Sequence, residues 1–126
     1  MDIAALYGWL AVGTCVIAMR GRSAHQWAAL TLWLAWLASN VIYAKLHPPG
    51  LIHRDLIVNA CACVLSILAL RTIRHPIALT WAALVLWCGI WLTIGPERYF
   101  WYYFGANRAF EFMMLVVCIA SLRSRD

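Results

Sequence analysis

Apolar residues fill this chain in five blocks, punctuated by short clusters of charge, proline and glycine. The blocks fall at 3–19, 26–44, 51–70, 77–95 and 99–122. Each is close to the length of about 20 residues that a helix needs to cross the hydrocarbon of a bilayer. The pattern therefore predicts an all-α fold: a polytopic transmembrane helical bundle of about five spans. The third and fifth blocks are the weakest spans. Only 56–70 of the third is free of charge, about 22 Å at 1.5 Å per residue, and the fifth contains Asn107, Arg108 and Glu111. Either fits equally a short or tilted helix screened from lipid by its neighbours.

Composition changes this picture in one respect. With 65% hydrophobic residues, 12% charged residues and a mean hydropathy of +0.78, too little polar surface exists to coat a soluble globule, so lipid must cover the remainder. Residues 1–126 then form a single transmembrane domain with no room for a soluble catalytic one. The first block follows Asp2 rather than a basic region and lacks a small-x-small cleavage site, which reads as a retained span rather than a signal peptide.

The net charge of +5 does not point to nucleic acid, because the basic residues stand singly or in pairs between apolar runs. They read as topology signals instead. Arg20 and Arg22, Arg71 and Arg74, and Arg123 and Arg125 fall on one side of a five-span scheme, which the positive-inside rule makes cytoplasmic. The expected placement is the bacterial inner membrane with the N-terminus outside and the C-terminus in the cytoplasm. On the opposite side Lys45, Arg54, Arg98 and Arg108 face Asp2, Asp55, Glu97 and Glu111, and the charge cancels.

Aromatic residues fit the same scheme. Trp27 and Trp81 stand at the cytoplasmic ends of the second and fourth blocks, and Tyr99, Trp101 and Tyr102 lie in an aromatic run at the outer boundary. These are the candidate membrane-interface residues. The stretch from Trp27 to Trp33 matches that from Trp81 to Trp87 at six of seven positions, with an offset of 54 residues. That echo suggests two helical hairpins of the same orientation followed by a fifth helix.

Polar residues within the apolar blocks are the best pointers to function, since hydrocarbon tolerates them only when paired or hydrated. The candidates for a polar cluster or pore lining are Asn40, Asp55, Asn59, Asn107, Arg108 and Glu111, all in the outer half of the scheme. Asp55 and Asn59 are one helical turn apart, as are Asn107 and Glu111. If the third and fifth helices face each other, Asp55, Asn59, Arg108 and Glu111 form one neutral cluster. It serves either as a vestibule or ion path opening outward, or only as packing between helices.

No catalytic, cofactor or metal motif accompanies them. His25, His47, His53 and His75 all flank the blocks, without an H-E-x-x-H or Cys/His cluster. Cys15, Cys61, Cys63, Cys88 and Cys118 lie inside apolar runs with no C-x-x-C spacing, as small packing residues do. The expectation is a non-enzyme without metal or cofactor, whose partners are the lipid bilayer and either further copies of itself or other membrane subunits. Three classes remain. First is a self-associating pore or permeabilising protein, comparable to phage holins or a viral genome-delivery channel. The others are a small-solute carrier, for which Gly89 and Gly95 are the only helix-breaking hints, and an accessory or anchoring subunit.

Overall fold

A computed structural model describes residues 3–46, 51–71, 74–94 and 100–123, with side chains described for 5–40 and, within those ranges, from Asp55 onward. They form five helices: α1 (Ile3–Ala18), α2 (Ser23–Leu46), α3 (Leu51–Leu70), α4 (Pro76–Ile94) and α5 (Phe100–Arg123). No strand occurs among the described residues. Among the described residues two helices, α4 and α5, are long and apolar enough to cross a membrane, whereas the apolar stretches Ala5–Ala18 of α1 and Asp55–Leu70 of α3 are shorter.

The helix ends follow from local chemistry. After α1 the amides of Met19, Arg20 and Gly21 fold back onto the carbonyls of Val16, Ile17 and Ala18, tightening the last turn, and the Arg22 carbonyl then accepts the His25 and Gln26 amides to start α2. Gln26 Nε2 reaches back to donate to the Met19 and Gly21 carbonyls, at 3.5 and 3.3 Å, and staples the turn. Arg71 ends α3 with φ of 59°, the left-handed position that glycine usually fills. Pro76 opens α4 at the one helical position where its missing amide is harmless. There His75 caps the helix, its Nδ1 accepting the Ile77 amide at 3.2 Å.

The helices pack as a ring. α1 rests on α2, α2 on α3, α3 on α4, α4 on α5, and α5 closes back onto α1 while also reaching α2. The His25 and His75 rings lie 6.5 Å apart, so α2 and α4 begin side by side at the same end. Gly21 lies against Ser121, so α5 finishes there as well. Arg20, Arg22, Arg71, Arg74 and Arg123 flank helix ends at this pole, hereafter the arginine end.

Packing is close because alanines face large side chains. Ala11, Ala18, Ala28 and Ala29 are fully buried in the same core as Trp81, Met113 and Val117, and small residues let helix backbones approach. The two echoing stretches do not share an environment. Among the echoing positions, Ala28, Ala29, Thr31 and Leu32 are buried in α2 with Trp27 58% exposed, whereas in α4 Trp81, 1% exposed, and Leu84 are buried. At about 100° per residue the two buried faces point in different directions. Large apolar side chains are exposed on every helix, among them Trp9, Leu34, Leu68, Leu86 and Leu115.

Candidate functional site

The four charged and amide side chains expected in one cluster occupy two separate places. The first lies between α3, α4 and α5. Asp55 stands one turn into α3 and Tyr102 in the first turn of α5; the Tyr102 hydroxyl donates to Asp55 Oδ2 at 2.7 Å. Cys88 Sγ lies 3.4 Å from the same hydroxyl, and Asn59 Nδ2 donates to Cys88 Sγ at 3.4 Å. The tyrosine proton is committed to the carboxylate, so the thiol must donate to the tyrosine oxygen. All donors then point one way, from Asn59 through Cys88 and Tyr102 to Asp55. Such aligned chains strengthen each member in a low-dielectric interior. Tyr102 is 1% exposed and is walled in by Trp91, whose ring meets it edge-on at 6.4 Å. Trp87 donates its indole N–H to the Tyr102 carbonyl at 3.0 Å and fixes the start of α5 against α4.

The second place lies between α1 and α5. Arg108 Nη2 donates to Glu111 Oε2 at 2.7 Å, one turn along α5, and to the Tyr7 hydroxyl oxygen at 3.3 Å. Tyr7 in turn donates to the same Glu111 oxygen at 2.6 Å. Phe104 lies under the guanidinium, 5.1 Å from ring centroid to Cζ, and Phe110 meets Tyr7 edge-on at 6.0 Å. Although bonded to one another, the charged pair is open at the surface: the Arg108 side chain is 55% exposed and that of Glu111 37%.

The remaining sequence candidates are placed as follows. Asn40 donates to the Trp36 carbonyl at 2.8 Å within its own helix, and Asn107 is half-buried in α5. Of the residues expected at the interface, Trp27 and Trp101 are exposed, whereas Trp81 and Tyr102 are buried in the protein. Both face the bundle because α4 and α5 turn them onto neighbouring helices, not outward. Tyr99, His47 and His53 lie outside the residues whose side chains are described. Sequence reading missed Tyr7 and Cys88 as polar partners. Tyr7 is 104 positions from Glu111, and no spacing rule connects them.

Among the described residues, no group of three or more His, Cys, Asp or Glu side chains is placed to hold a metal ion. No protein-family profile, curated protein or solved structure matches the chain.

A third polar grouping sits at the arginine end, outside the apolar runs. Burial, and then the nearby Arg22 charge, hold His25 below the ordinary imidazole value; burial, and then His25, do the same to His75. Folding thus favours both rings neutral, while the unfolded chain takes up protons near pH 6.5. Stability is expected to be full above about pH 6.5 and to fall as the pH drops through that value, levelling off below the folded-state pKa values. Protonation of His75 also removes the acceptor that caps α4. Thermal unfolding in detergent between pH 8 and 5 checks this. A His25→Gln, His75→Asn variant with an undiminished pH slope excludes these rings as its source.

Proposed function

We propose that the chain is a small integral inner-membrane protein that self-associates into a pore, with the Tyr7–Arg108–Glu111 face of α1 and α5 lining a shared aqueous path. In this reading all five helices span, as two same-orientation hairpins plus a fifth helix. The arginine end is cytoplasmic and the N-terminus is outside. Large apolar side chains exposed on every helix support burial in lipid, because a soluble monomer rarely carries so much apolar surface.

The single observation that carries the reading is the exposed ion pair. Arg108 and Glu111 stand about 12 and 16 Å along a helix about 36 Å long at 1.5 Å per residue, near its middle. Charges at that depth avoid lipid and face water or protein. Tyr7 and Phe104 satisfy part of each group, yet both remain open outward. Further copies meeting around this face would supply water on one side and protein on the other.

The test is conductance and dye leakage in proteoliposomes, together with crosslinked oligomer size. Glu111→Gln is expected to shift the balance between cation and anion permeation several-fold while oligomers persist. Arg108→Ala is expected to reduce assembly, since it strands Glu111. Unchanged leakage and assembly in both variants would overturn the pore and leave an accessory subunit. The Asp55 chain, which runs from the buried Cys88 and Tyr102 to a half-buried carboxylate within one protomer, favours a second reading as a small-solute carrier. There Asp55→Asn, not Glu111→Gln, changes transport.

A further inference from the structure

We propose that the groove between α1 and α2 at the arginine end is a binding site for one anionic membrane phospholipid. Its floor is apolar, built by Val12, Cys15 and Val16 of α1 and Leu30 and Trp33 of α2, and it is an outward-open groove of about 370 Å³. Met19 and Gln26 stand at its mouth. From Met19 to Val12 the α1 backbone rises about 10 Å. The groove is therefore elongated along the helix axes, as an acyl chain lying parallel to them requires.

Charge sets the headgroup. Arg20 and Arg22, both exposed, follow Met19 within three residues along the chain, in the turn that joins the two helices of the groove. No acidic residue occurs anywhere between Ile3 and Arg54, so nothing on this hairpin neutralises them. Gln26 is held by the Met19 and Gly21 carbonyls, which fixes the turn that carries both arginines. An apolar groove that opens beside two cations whose own hairpin carries no acidic residue matches an acyl chain joined to a phosphate, and basic pockets between helices bind such lipids. Val12, Val16 and Met19 project well away from Tyr7 around α1, so this site and the Arg108 face are on different sides of the helix.

The site rests on membrane placement of the bundle but not on the pore. Its test is native mass spectrometry of the full chain released from nanodiscs of phosphatidylglycerol and phosphatidylcholine in equal parts. The expected result is one phosphatidylglycerol retained per chain in preference to phosphatidylcholine. Retention should fall at least tenfold in Arg20→Gln, Arg22→Gln and also in Leu30→Trp, which fills the groove. Equal retention of the two lipids, or selectivity unchanged in both variants, overturns the site even where the chain is inserted. Release of the chain from vesicles by alkaline carbonate instead overturns membrane placement, and the site with it. Leakage assays of Glu111→Gln are read independently of either result.

Discussion

Replacing Gly21 by alanine is expected to loosen the closure of the ring more than any other single methyl group. A Cβ at Gly21 would lie 2.8 Å from Ser121 Cα and 2.9 Å from its Cβ, so the backbone of α5 itself must retreat from the α1–α2 turn. At Gly8 and Gly105 the added carbon would meet the outer ring edges of Trp36 and Trp87, the latter at 2.6 Å. The Trp87 indole can tilt only by straining its bond to the Tyr102 carbonyl, whereas a helix end held by the whole α1–α5 contact has no such single bond to give. Overpacking costs about 1–3 kcal/mol, and Gly21→Ala belongs at the upper end of that range, with Gly105→Ala below it. Gly13 and Gly89 have open space around the same position. Alanine there should stabilise, by up to about 1 kcal/mol, through helix propensity alone. Unfolding by sodium dodecyl sulfate in mixed detergent reads all four changes, and a Gly21→Ala chain as stable as Gly13→Ala removes the close approach of α5.

The helices were legible because each is closed by residues with one local meaning: Pro76 opens α4, Gly21 and its flanking arginines separate α1 from α2, and the apolar blocks match the helices to within a few residues. What pattern did not supply was rotation. A helix that is apolar all round has no preferred inner face, so the same Trp-Ala-Ala-Leu stretch buries its alanines in α2 and its tryptophan in α4. The candidate site was legible by residue type and by turn, as with Asp55 and Asn59, or Arg108 and Glu111. Its partition into two places was not. That depends on Tyr7 and Tyr102, which read as apolar or boundary aromatics until the ring brings their hydroxyls to carboxylates 104 and 47 positions away.

The Tyr102 hydroxyl should prove the costliest atom to remove from the enclosed chain. Tyr102→Phe keeps the ring against Trp91, and the Trp87 bond to the backbone carbonyl needs no hydroxyl. What it loses is the donor to Asp55 and the acceptor for Cys88. Hydrogen bonds to charged groups contribute about 1.5–3 kcal/mol, and the fully buried Cys88 thiol also loses its acceptor. The single change is therefore expected to destabilise by about that amount. Asp55→Asn alone should cost less, because the amide oxygen still accepts from Tyr102. The cycle therefore uses Asp55→Ala, which removes the acceptor outright: if the two side chains act through their mutual bond, the Tyr102→Phe, Asp55→Ala double variant is less destabilised than the sum of the singles, since each removes the same interaction. A coupling of about 1.5 kcal/mol or more in a double-mutant cycle, read by the same detergent titration, is the expected outcome. Additive effects would mean that the 2.7 Å contact between Tyr102 and Asp55 contributes nothing of its own. The carrier reading, which draws on this half-buried carboxylate, would then lose its support.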